Sequence, residues 1–398
     1  MAFSRDQRLL LAAYLLFGLG SPMVNTFSGT YVWRLFHSPS ALATFLMIFC
    51  LGLPVGFLLN GFLLRRVKLT RLFFFSCLLQ GLIPLILVSL PHPTVIAIWM
   101  IGLVLGTAAG CFWANRNYLT SRVSVNGERF KFISIETTLT AIAAIISPLL
   151  IGWTIAFGES SGAYTIELGY KVTTLIGFLL LAVCGRIIAT ISVPGPEVKN
   201  LFVKHRSDIW QNWRWLEIVN GVVDGAGRIF PLMIVLTFLG QEASVGTVQS
   251  VSSILSAIMI YFAGKRASAE KDHVRMLLFW MTMTIGGAVI FATMYSARGA
   301  IILLAISALV GSFRWGSFAA ILYDIVDAEE KRHGENHRYA LLMDRETLLN
   351  AGRALALALF VLAFSFSPTA TLRFGLLAVG AAQLLLVAMT AQIQKRTE

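Results

Sequence analysis

Long apolar runs, each closed by a short polar or basic turn, recur from one end of the chain to the other. Twelve such runs lie near residues 9–33, 41–63, 72–90, 94–119, 133–157, 172–193, 214–239, 244–263, 275–295, 299–325, 346–367 and 370–391. A helix needs about 20 apolar residues to cross the hydrocarbon core of a bilayer, and each run approaches that length. Polar residues interrupt the fourth and tenth runs more than the others. Pro91-His92-Pro93, Gly158 to Gly162 and Pro194-Gly195-Pro196 supply turn chemistry between runs. The pattern predicts an all-α membrane protein with twelve transmembrane helices.

One stretch occurs twice. Arg116 to Leu139 closes an apolar run, crosses a basic loop and opens the next run. About 210 residues later, Tyr323 to Leu349 does the same. Arg338-Tyr339 echoes Arg129-Phe130, and the Glu346 tetrapeptide echoes that of Glu136. A repeat of this period predicts one half-unit built twice. The expected organisation is two pseudo-symmetric six-helix bundles, 1–193 and 213–398, joined by a polar linker at 194–212.

Composition agrees with this pattern. Apolar residues make up 57% of the chain and charged residues 13%, with a mean hydropathy of +0.76, against roughly 25% charged in soluble domains. The sequence pI near 9.8 would suit a nucleic-acid partner. However, the charge is confined to short loops between apolar runs, so lipid is the expected partner and nucleic acid is not. Twenty-two Lys and Arg residues fall in the loops on one side and four, Arg34, Lys171, Arg298 and Arg373, on the other. The positive-inside rule then puts both termini in the cytoplasm, with a bacterial inner membrane as the expected location. Arg5 and Arg8 precede an apolar run that resembles a signal peptide. That run continues to about Val32 with no cleavage pattern, so it is read as an uncleaved first span. Cys50, Cys77, Cys111 and Cys184 each stand singly in apolar runs, without metal or disulfide spacing.

Two six-span halves, both ends inside and a central cytoplasmic linker resemble the major facilitator superfamily over the whole chain. At motif level the likeness is partial. The family's loop between spans two and three reads like G-x-L-a-D-r-x-G-r-r. Here Gly56-Phe-Leu-Leu-Asn60-Gly-Phe-Leu-Leu-Arg65-Arg66 keeps the first glycine, a leucine and the basic end. An amide replaces the acid, and Leu63 stands at the second glycine. Gly264-Lys265-Arg266 keeps a fragment of the motif in the second half. The resemblance implies a secondary transporter working by alternating access, with spans one, four, seven and ten around a central cavity.

An ionisable group inside a span is costly, so each marks a functional candidate. Arg116, Glu136, Arg186, Asp224, Arg228, Arg314 and Arg353 form that set. The resemblance places Arg116, Arg228 and Arg314 at the cavity. Residues three or four apart share a helix face. Tyr14, Gly18, Ser21, Asn25 and Ser28 form one polar face, Glu217, Asn220, Gly221, Asp224 and Arg228 a second, and Ser307, Gly311, Arg314 and Ser317 a third. Such faces meet either a wet cavity or another helix. Asp224 and Arg228 are placed to pair along one turn. Arg116 and Arg314 then have no obvious acid nearby on their own helices. Either a bound anion offsets their charge, for which the guanidinium fork is suited, or Glu136, Glu346 or Asp324 reaches across to them. Trp113 and Trp315 flank these arginines and suit either an aromatic substrate or ordinary packing. The expected substrate contacts are Arg116, Arg228, Arg314, Asn25, Asn220, Trp113 and Trp315, with Asp224 for proton coupling. Glu136, Glu346, Arg65, Arg66, Arg129 and Arg345 are the expected cytoplasmic gate; for the two glutamates, stabilisation of a helix start is the alternative.

Enzyme-like matches carry little. Gly158-Glu-Ser-Ser-Gly162 fits G-x-S-x-G but lacks the strand-to-helix elbow. His333 and His337, four apart, lie in a charged loop, and no Gly-Lys-Ser/Thr phosphate loop occurs. No cofactor and no metal is expected. Gly52-xxx-Gly56, Gly102-xxx-Gly106-xxx-Gly110 and Gly221-xxx-Gly225 suit close helix packing within a bundle, or dimerisation; a monomer is expected. The sequence reading is therefore a secondary carrier of a small organic anion or zwitterion. The alternatives are a flippase for lipid or lipid-linked substrates and a non-transporting receptor or assembly factor.

Overall fold

The computed structural model describes residues 4–123, 129–192, 198, 200–203, 207–266, 273–333 and 338–397. Among these residues there are twelve long helices and no strand. They are α1 (Arg5–Phe36), α2 (Pro39–Leu63), α3 (Leu69–Ser89), α4 (Val95–Val123), α5 (Arg129–Ser161), α6 (Ile166–Ile188), α7 (Asp208–Phe238), α8 (Glu242–Arg266), α9 (His273–Met294), α10 (Ala297–His333), α11 (Arg338–Phe366) and α12 (Pro368–Thr397). Ten have the length and apolar content to cross a membrane, and Ala297–Gly311 of α10 is a shorter apolar piece. Several helices outrun their apolar cores. The tenth ends at His333 rather than near 325, and the fifth runs through Ser161, so Gly158 to Ser161 is a last helical turn and not a loop. Polar residues outside hydrocarbon continue a helix without cost, so hydropathy alone misplaces its ends.

Caps and breakers set several boundaries. Ser4 and Gln7 form a reciprocal capping box, at 3.2 and 2.8 Å, that starts α1. Ser38 accepts from the Ala41 N–H ahead of α2, with Pro39 in the first turn. Within α1, Pro22 precedes a π-helical turn over Met23–Phe27. A wide turn of this kind adds a residue and rotates the face presented by the rest of the helix. The polar face expected from regular spacing is thereby split: Tyr14, Gly18 and Ser28 are buried, whereas Asn25 is exposed.

The chain divides into two compact units, Met1–Lys199 with Gln241–Ser250, and Asn200–Gly240 with Val251–Glu398. In the first, α2 and α4 cross at glycines. A Cβ on Gly56 would stand 2.9 Å from the Gly110 Cα, and one on Gly52 would stand 2.9 Å from the Thr107 nitrogen. One turn on, Asn60 and Asn115 exchange amide hydrogen bonds of 3.0 and 2.7 Å while fully buried. This is the close approach the small-residue spacing predicted. In the second unit, Trp210, Trp213, Leu216, Trp280 and Phe318 form much of a large apolar core. There α7 meets α11 at Gly221, Gly225 and Gly352.

Candidate functional site

The buried charge of the second unit converges on one carboxylate. The Arg314 guanidinium donates to Asp224 Oδ1 at 2.8 Å, Arg353 Nε to Oδ2 at 2.7 Å and Arg228 Nε to Oδ2 at 3.2 Å. Asp224 and Arg228 are one turn apart on α7, whereas Arg314 comes from α10 and Arg353 from α11. Two amides hold the buried arginines in place. Arg314 also donates to Asn220 Oδ1 at 3.0 Å, and Arg353 to Asn350 Oδ1 at 2.9 Å. The Trp280 ring lies under the Arg314 guanidinium, 5.7 Å from its centroid. Three guanidiniums against one carboxylate leave two positive charges in excess over these described pairs.

The same amides lead to a second cluster. Asn220 donates to Glu217 at 3.2 Å and Asn350 to Glu346 at 3.3 Å. Arg345 lies between these acids, donating to Glu217 at 3.1 Å and to Glu346. One guanidinium against two carboxylates gives an excess negative charge, so charge alternates along a single bonded network. Amides suit this position, since each offers an oxygen to the cationic side and an N–H to the anionic side.

In the first unit, Arg116 of α4 pairs with Glu136 of α5, whose side chain is buried. The guanidinium stacks over Tyr14 and Trp113, at 4.9 and 5.0 Å from their ring centroids. The Tyr14 hydroxyl is in turn 2.8 Å from Thr120. Trp113 is partly exposed, so its ring covers Arg116 on one side while facing outward on the other.

A family model described as the Major Facilitator Superfamily matches residues 10–334. The chain belongs to the major facilitator superfamily. It is an integral membrane protein of that transporter superfamily. Among similar proteins, the uncharacterized protein YqgE of Bacillus subtilis (strain 168) is 22% identical over 87% of this chain and 80% of its own length. An uncharacterized protein in the sodM 3' region of Geobacillus stearothermophilus is 28% identical over 41% of this chain and 76% of its own. Two solved structures share the fold at a TM-score of 0.65. One is the nucleoside transporter NupG in a mutant form, 13% identical over 98% of this chain and 99% of that one. The other is an inward-facing bacterial homologue of the iron transporter ferroportin, 17% identical over 99% of each.

In this major facilitator chain, Asn220, Asp224 and Arg228 share one face of α7, as their spacing predicted, and Arg314 joins them from α10. Arg116 and Arg314, which have no acid nearby on their own helices, each find one across a helix boundary, Arg116 at Glu136 and Arg314 at Asp224. Asn25 stands apart on its π-helical turn. Glu136 and Glu346 are each paired within their own unit, while Arg65 and Arg66 are exposed at the end of α2. The side chains of Arg129, Trp315, Ser317, Asp324, Lys265, Arg266 and His333, and residue His337, lie outside the described residues. Sequence reasoning noted Arg353 as an ionisable group in a span but gave it no place in the site. Trp280 and the Asn350 bridge it missed entirely. The available signal was Asn350 and Arg353, three apart and flanking Gly352 on an apolar helix.

Proposed function

We propose that this chain is a secondary carrier for a small organic anion recognised by the arginine cluster of its second unit. The observation that carries the reading is the convergence of three guanidiniums, Arg228, Arg314 and Arg353, on Asp224. Clustered guanidiniums inside a span mark a place where an anion is favoured. The planar fork of arginine suits carboxylate or phosphate. Arg116, stacked between Tyr14 and Trp113, is a second proposed contact, released when Glu136 lets go of it. A proton is proposed to couple at Asp224, where its arrival would loosen three guanidiniums together and so link anion binding to proton binding.

The test is a thermal-shift screen of the detergent-purified protein against carboxylates, phosphate esters and matched neutral compounds. Anions should raise the melting temperature and the neutral compounds should not. Arg314→Ala should weaken the response by roughly tenfold or more, and Arg314→Lys should recover only part of it, because an ammonium lacks the bidentate fork. An unchanged response in the alanine variant, with the fold intact, would rule out Arg314 as a substrate contact.

The bias of basic residues supports cytoplasmic termini. A reporter active only outside the cytoplasm should be silent when fused after Glu398 and active when inserted after Ser161. The opposite pattern would reverse the orientation.

A further inference from the structure

Three contacts fix how α7 and α10 lie against each other. The Ser207 hydroxyl donates to Glu329 at 2.5 Å, the Trp213 and Phe318 rings are 6.3 Å apart, and Arg314 reaches both Asn220 and Asp224. The residue numbers rise on one helix as they fall on the other, so the two run antiparallel. Continued along α7, that register brings Gly227 level with Gly311. Each stands three residues, roughly 4.5 Å, beyond the Asp224–Arg314 pair. These glycines differ from those that pack helices. A Cβ on Gly221 would lie 2.8 Å from the Gly352 Cα, and one on Gly225 would lie 2.6 Å from the Arg353 carbonyl oxygen. A Cβ on Gly227 or Gly311 would meet no described atom within 4 Å. Helix packing therefore does not require glycine at these two positions, and glycine is a poor helix former, costing about 1 kcal/mol against alanine.

The charged groups bordering this space differ in exposure. Arg314 and Arg353 keep side-chain exposures of 10% and 7%, against 35% for Arg228. The first two are buried, and Arg228 has the most exposed side chain of the three. We infer that the open space beside Gly227 and Gly311, floored by the Asp224–Arg314 pair and flanked by Arg228, receives the uncharged body of the substrate while Arg228 meets its anionic group. This rests on the organic-anion reading and extends it: the two missing side chains set the bulk of the anion that fits, and Arg228 rather than Arg314 makes the first contact.

Thiol labelling reads the space directly, without a known substrate. In a Cys111→Ser background the remaining cysteines, Cys50, Cys77 and Cys184, are buried. Gly227→Cys and Gly311→Cys are then exposed separately to sulfonatoethyl and trimethylammonioethyl methanethiosulfonates. The thiolate attacks the thiosulfonate sulfur, a mixed disulfide forms and methanesulfinate leaves. Both cysteines should react, and at low salt the anionic reagent should be faster by about tenfold. Adding Arg228→Gln should abolish that preference. Gly286→Cys on α9, whose Cβ also meets nothing within 4 Å, should show no preference for the anion. Two inert cysteines, or a faster cationic reagent, would overturn the inference. Normal labelling with no anion active in the thermal-shift screen would overturn the organic-anion reading and leave the open space established. If one variant fails to fold, the other decides.

Discussion

Asp224→Ala is expected to lower the stability of the protein by about 3–5 kcal/mol, the cost of leaving buried partners of a broken ion pair uncompensated. Asp224 accepts from Arg314, Arg353 and Arg228, and the first two arginines are buried with it. Removing the carboxylate leaves like charges side by side, and Asn220 and Asn350 are too weak to balance them. Thermal unfolding in detergent, followed by tryptophan fluorescence, should show the loss. Adding Arg353→Met should restore part of it by removing one stranded charge. A melting temperature equal to the parent's would show that the cluster contributes nothing to folding. Asp224→Asn addresses the proposed coupling separately, because it keeps an acceptor oxygen but takes no proton. It should lose uptake driven by a pH gradient while retaining substrate exchange. Equal loss of both would leave Asp224 a structural anchor only.

The helices were legible because lipid imposes one simple rule, a sustained apolar run for every crossing. Their ends were less so. The long extension of α10 into Asp327, Glu329 and Glu330 reads as a charged loop. It is helical, and Arg338 and Arg332 pair with those acids, at 3.2 Å for Asp327, 3.4 Å for Glu329 and 2.9 Å for Glu330. Within the site, Asp224 and Arg228 could be paired from spacing alone, since one turn of helix brings them together. Arg314 could not be assigned to Asp224, which is 90 residues distant, because helix periodicity carries no information about which helices are neighbours. Arg353 was harder still. The resemblance points to spans one, four, seven and ten as cavity-lining, while this arginine enters from the eleventh beside Gly352. The π-helical turn that exposes Asn25 comes directly after Pro22, and proline in a span does not by itself announce how the backbone will adjust.

Gly352→Val should damage both folding and anion binding, and the link between the two losses is the point of the experiment. On α7 and α11 the glycines Gly221 and Gly352 face each other, and a Cβ on Gly352 would stand 2.9 Å from the Gly221 Cα and nearer still to the Ile218 carbonyl. These are backbone atoms, which no rotamer change can move aside. A valine must therefore push the helices apart, at a cost of about 1–3 kcal/mol or more. Arg353 is the very next residue, so the same displacement should draw its guanidinium from Asp224 and from Asn350. Arg314 would then share Asp224 with one partner fewer, and the guanidinium cluster that the carrier reading depends on would be rearranged. The melting temperature should fall, and the response to carboxylates and phosphate esters should weaken in the folded fraction. Gly286→Val, placed where a Cβ meets nothing, should change neither property. If Gly352→Val melts like the parent, the α7–α11 crossing tolerates separation and glycine is not required there. If it melts lower yet binds anions as before, Arg353 plays no part in positioning the site.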